Sequence, residues 1–146
     1  MTAIGGAPTR GVLDTSTLIL LEDITDRGCL PDVPLITTVT LAELSADPLV
    51  ARTERERAAR QALLQQAESE FDPLPFDRAA AHSFGQIAAS LRRAGRKATA
   101  RADDARIAAT ALANDLPVYT CNPGDVSDIE GLEVVAIALP DGTAQR

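Results

Sequence analysis

Short β-branched apolar runs alternate with longer helical stretches along this chain, and that alternation constrains its fold more than any other feature. Apolar runs occur at 11–13, at 34–39 ("PLITTV"), at 116–120 ("LPVYT") and at 132–137 ("LEVVAI"). Each is short enough for a buried strand, and 34–39 is bounded by the turn-forming "LPDVP". Between them, residues 16–25, "TLAELSAD" from Thr40, 52–70, 77–94 and 104–114 read as helices, with "FDPLPF" an extended link. Strands separated by helices are expected to run parallel, in a sheet covered on both faces. The expected class is therefore α/β, a three-layer α/β/α sandwich around a central parallel sheet.

At 146 residues the chain has room for one domain. Residues 1–10 read as a flexible lead, 11–138 as the domain and 139–146 as a flexible tail. Trp is absent and aromatics are 3% of the chain, so Ala, Leu, Ile and Val must build the core. No run of eighteen uncharged apolar residues is present, which predicts no membrane span. Cys29 and Cys121 have neither metal-ligand spacing nor a disulfide framework, which predicts a reducing, cytoplasmic setting. With His82 as its single histidine, the chain has no site built from several imidazoles.

The net charge of −7 has the wrong sign for coating nucleic acid through bulk electrostatics. Charge is uneven, however. "LRRAGRKATARADDAR" gathers Arg92, Arg93, Arg96, Lys97, Arg101 and Arg106. Such a stretch is either a solvated helix end or a local contact for phosphates.

In parallel sheets, ligands bind outside the carboxyl ends of the strands, where the strand order reverses. Four acids occupy such seams. Asp14 follows the first strand directly, Glu43 follows the second closely, and Asp125 lies in "TCNPGD" after the third. Asp104 opens the helix that feeds the third strand, and Ile107, Ala108, Ala111 and Leu112 continue its face as a buried stripe. Asp103 is rotated away by about 100° and reads as a helix-dipole acid. Taken singly, Glu43 fits a capping box opened by Thr40, and Asp125 fits a turn or cap. Taken together, the four carboxylates would repel one another at one sheet edge unless a cation joined them. With oxygen donors alone, Mg²⁺ or Mn²⁺ is favoured over zinc.

In this order and spacing, "VLDTSTLI", "TLAEL", "DARIAATALANDLPVYTCNPGD" and "GLEVV" resemble a PIN-domain ribonuclease, more narrowly a VapC-type toxin of a toxin–antitoxin pair. The likeness runs from residue 11 to about 138. It implies Asp14, Glu43, Asp104 and Asp125 as the catalytic, metal-binding acids, with Thr15, Ser16, Thr120 and Asn122 in support. It also implies a homodimer, an RNA substrate and a cognate antitoxin that blocks the site. Val126 stands where the family commonly has Phe, a difference expected to affect packing.

The resulting expectation is a Mg²⁺-dependent endoribonuclease that cuts a structured RNA with activated water, leaving 5′-phosphate and 3′-OH ends. Arg93, Arg96, Lys97 and Arg101 are the candidate RNA contacts. The alternative is a PIN nuclease of RNA or DNA processing without an antitoxin. A phosphoacceptor receiver would also gather acids at strand ends, but it needs a lysine after the last strand, and "LEVVAIALPDG" has none.

Overall fold

The computed structural model describes residues 7–96 and 102–140. Four strands, β1 (Arg10–Leu13), β2 (Val33–Leu35), β3 (Val118–Thr120) and β4 (Val134–Ala136), form one sheet in the order β2-β1-β3-β4. Every pairing is parallel, with Val12 opposite Leu35 on one side and Val118 on the other. The expected sandwich with a parallel core is the observed architecture.

Among the described residues, five α-helices surround the sheet: α1 (Thr15–Ile19), α2 (Thr38–Ala46), α3 (Glu54–Glu70), α4 (Arg78–Arg93) and α5 (Ala102–Ala113). Alternation along the strands decides which helix covers which face. Val12 and Val118 point to the side of Ile107 and Ala111 on α5. Leu13 and Tyr119 point the other way, toward Leu18 of α1 and Leu64 and Ala67 of α3. Helix α4 packs on α5 through Ile87 and Leu91 against Ala105, Ala108 and Ala109. These alanines let the two helices approach closely, which fits a core poor in aromatics. Val12, Leu13 and Val118 are fully buried, and each such side chain contributes roughly 1.5–3 kcal/mol. Gly11 lies beneath the Tyr119 ring, and a Cβ there would collide with it.

Several elements are shorter than expected: β3 and β4 keep only three residues each of the runs at 116–120 and 132–137, and two further elements are cut short for local reasons. The run at 34–39 yields a strand of only three residues, because Thr37 leaves the sheet and caps α2 by accepting from Thr40 N at 3.3 Å. Thr38, Val39 and Thr40 are helical despite their β-branching; the cap and burial of Val39 and Thr40 override propensity. Leu74 of "FDPLPF" then pairs with Thr37 in a single parallel bridge. The helix expected at 16–25 ends at Ile19 and continues as a tight turn over Leu21–Asp23. A straight helix would point Leu18 and Leu20 about 200° apart, yet both are buried.

The strand order reverses between β1 and β3. From β1 the chain crosses to β2 on one side, then returns to β3 on the other. Asp14 and Thr120 stand at the carboxyl ends of these two central strands.

Candidate active site

Asp14 is the first residue beyond β1 and only 3% exposed. It is also the cap of α1. Its Oδ1 accepts from Thr17 N at 3.1 Å, and its Oδ2 accepts from the Thr120 hydroxyl at 2.6 Å. Thr120 Oγ1 in turn accepts from Asn122 N at 2.9 Å, while Thr17 Oγ1 accepts from Cys121 N at 3.0 Å. The start of α1 and the end of β3 are thus stapled together across the seam. A buried carboxylate held by two donors has a fixed orientation, and each oxygen keeps a free lone pair.

Thr15 carries the arrangement to α2. Its hydroxyl donates to Glu43 Oε1 at 2.6 Å and lies 2.9 Å from Thr40 Oγ1. A hydroxyl has one proton, so Thr40 is the donor to Thr15. This relay corrects the capping-box reading: Thr37, not Thr40, caps α2, which puts Glu43 in mid-helix with its carboxyl free to meet Thr15. Burial pushes the Glu43 carboxyl up from its ordinary value. The Thr15 hydrogen bond opposes that rise, and the charges of Asp103, Asp47 and Asp14 add to it.

Asp104 lies in the first turn of α5, partly buried, above the buried stripe of Ile107, Ala108 and Ala111. Since α5 runs back toward the start of β3, its first turn is at the carboxyl edge of the sheet. Asp125 sits partly buried in the 3-10 turn Pro123–Val126, its N–H donating to Asn122 O at 3.0 Å. Val126 is buried against α5 and Ile87, so its side chain serves packing. Ser16 is partly buried in the first turn of α1.

The basic stretch is divided. Arg96 donates to Asp128 Oδ2 at 2.7 Å and to Ser127 Oγ at 2.9 Å, tying the end of α4 to the turn that carries Asp125. Arg93 is exposed, 3.9 Å from Glu130. Lys97 and Arg101 lie outside the described residues. His82 is exposed on α4.

Asp103 and Arg106, read from the sequence as a helix-dipole acid and as one member of the basic stretch, have more specific partners than that. Asp103 was expected only to favour a helix end, but its charge reaches Glu43. Arg106 Nη1 pairs with it at 3.1 Å. The i, i+3 spacing of the two was the available signal.

Among the described residues, no three acid, cysteine or histidine side chains lie close enough to grip one ion. In kind, the donors suit a hard divalent cation. They are all oxygen, and the neighbouring acids repel Glu43 in a way that a cation would relieve. Asn122 adds a buried Nδ2 with no acceptor among the described residues.

A family model for the PIN domain matches residues 12–130. The ribonuclease VapC5 of Mycobacterium tuberculosis is 37% identical over 132 residues, covering 89% of this chain and 95% of that protein. A ribonuclease VapC from Rickettsia bellii is 29% identical, covering 89% and 98%. Among solved structures, the VapBC-5 toxin–antitoxin structure from Mycobacterium tuberculosis matches with a TM-score of 0.76 and 34% identity, covering 89% of this chain and all of that one.

Proposed function

This chain belongs to the PIN-domain family, among the VapC ribonucleases, and from that premise we propose that it is the toxin of a toxin–antitoxin pair, an endoribonuclease dependent on a hard divalent cation. One observation carries the reading. Asp14 is buried where the strand order reverses, oriented by Thr17 and Thr120, and Thr15 beside it grips Glu43.

In this reading Asp14 and Asp104 would hold the principal cation, with Glu43 and Asp125 assisting them or holding a second ion. When bound, Mg²⁺ or Mn²⁺ supplies Lewis acidity, which activates water and neutralises charge at the scissile phosphate. The chain's own residues supply position. Thr120 and Thr17 N fix the Asp14 carboxylate, and Thr15 fixes one oxygen of Glu43 and leaves the other available. The Asn122 amide is a spare donor for an acid or a phosphate oxygen. The chain's single imidazole, His82, is exposed on α4, which favours water over the RNA 2′-OH as the source of the attacking oxygen. The products carry 5′-phosphate and 3′-OH ends. Specific RNA sites are generally unpaired loops, which favours a loop of a structured RNA as substrate, with exposed Arg93 near its flanking phosphates.

For the antitoxin the reading favours a groove between α1 and α3, where Leu18, Ile19, Ala62, Leu63 and Phe71 lie alongside polar Glu22, Gln66 and Glu70. Its apolar walls suit an amphipathic segment. No described helix is long and apolar enough to cross a membrane. The reading places the toxin in the cytoplasm, as a homodimer.

The test is to incubate the purified chain and Asp14→Asn with a hairpin RNA in Mg²⁺, in Mn²⁺ and in EDTA, and to map the ends. The wild type is expected to cut only with a divalent ion and to leave 5′-phosphates. Cleavage in EDTA, or 2′,3′-cyclic phosphate ends, would overturn the mechanism.

A further inference from the structure

Between α2 and the first turns of α5, and adjoining the acid site through Glu43, lies an open cleft of about 450 Å³. Its apolar wall is Val39, Ala42, Ala46 and Phe76; its polar wall is Glu43, Asp103 and Arg106. The cleft is organised rather than incidental. Phe76 N donates to Thr38 Oγ1 at 3.2 Å, and the Phe76 ring meets Phe84 edge-on, centroids 6.2 Å apart. Arg106 is held twice. Its guanidinium lies 5.5 Å from the Phe84 ring centre and donates to Asp103 at 3.1 Å. Even so, its side chain is 44% exposed, so the fork can still reach a ligand.

A nucleotide has a flat apolar base, a hydrogen-bonding edge and a phosphate. The cleft has an aromatic and aliphatic wall, carboxylate acceptors and a pre-positioned guanidinium to match them. It also shares Glu43 with the acid site, so its occupant is next to the reacting bond. We propose that this cleft receives the base of the nucleotide adjoining the scissile phosphate, with Arg106 gripping a phosphate and Asp103 accepting from an exocyclic amine on the base edge. The inference rests on the nuclease reading and adds the chemistry of its specificity. A carboxylate acceptor favours adenine, cytosine or guanine over uracil, which has no such amine.

The test uses the full chain and a hairpin RNA with a randomised loop, cut in Mn²⁺ and sequenced at the new ends. Wild type is expected to prefer an amine-bearing base over uracil at one position beside the cut, by about tenfold. Ala46→Phe fills the cleft from an exposed helix position, and Asp103→Ala removes the carboxylate that accepts from the base. Both are expected to flatten that preference and raise KM more than they lower kcat, with Mn²⁺ affinity and melting temperature close to wild type. Variant profiles that superimpose on the wild type's, or a wild type indifferent to uracil, overturn the cleft assignment and leave the nuclease reading standing. A wild type that does not cut RNA with either ion overturns both.

Discussion

The β1–β3 seam and the α2–α5 cleft share one end of the molecule but are built on opposite physical terms. In the seam, Asp14, Thr17 and Thr120 are buried and bonded to one another, so position is set before any ligand arrives. In the cleft, Glu43 is half-buried beside other acids; burial chiefly, and then the charges of Asp103, Asp47 and Asp14, raise its pKa against the Thr15 hydrogen bond. One region fixes geometry; the other holds electrostatic demand that a cation and a substrate can satisfy. Perturbing the first should therefore damage stability and activity together, whereas perturbing the second should separate them.

The largest expected effect is that of Asp14→Asn. Asn keeps the cap on Thr17 N but removes the charge at the reversal point. RNA cleavage should fall about a thousandfold, the scale of several kcal/mol of lost charge stabilisation, and the melting temperature should fall with it, because the amide nitrogen now faces the buried Thr120 hydroxyl that donated to Oδ2. Rate assays in Mg²⁺ paired with thermal melts check this.

Next is Thr120→Val. It removes the hydroxyl that donates to Asp14 and accepts from Asn122 N, leaving buried groups unpaired. Denaturant unfolding should show a loss of about 1–3 kcal/mol, with slower cleavage, and Thr120→Ser should restore most of both.

Glu43→Gln should uncouple the two properties. Because the folded-state pKa of Glu43 is raised, the folded chain holds its proton more tightly than the unfolded one. Ionised Glu43 therefore opposes folding above its ordinary value of 4.5, most fully once pH exceeds the raised pKa. Without divalent ion, the variant should melt higher than wild type at neutral pH, and the gap should close as pH falls below 4.5. Cleavage should nonetheless be lost. Melts across pH in EDTA give the first result, and rates in Mn²⁺ give the second.

The smallest effect is that of Arg96→Ala. The pair with Asp128 is partly exposed, so unfolding should change by less than about 1 kcal/mol. Cleavage should fall only as far as the turn bearing Asp125 loosens.

The seam was largely legible in the sequence, because period-two burial and an acid directly after a strand have a local pattern. Parallel strands and the carboxyl-edge rule then located Asp14. The cleft was less legible for two reasons. The box "TLAE" looks the same whether Thr37 or Thr40 caps the helix, and only the exit of Thr37 from the sheet decides it. Asp103 and Arg106 acquire their roles from α2 and α4, packed against them from distant parts of the chain, which periodicity within α5 does not report. The second strand was overestimated for a related reason, since Thr38 and Val39 follow the Thr37 cap into α2.

The claim that supports all of this is that acids distant in sequence share one cation at the reversal point. Mn²⁺ titration followed by electron paramagnetic resonance tests it most directly, on wild type, Asp14→Asn and Asp104→Asn. Wild type should bind Mn²⁺, and each variant should bind it at least about tenfold more weakly, the loss expected for one carboxylate ligand's worth of about 1.4 kcal/mol. Binding in Asp14→Asn or Asp104→Asn that matches wild type would contradict the account.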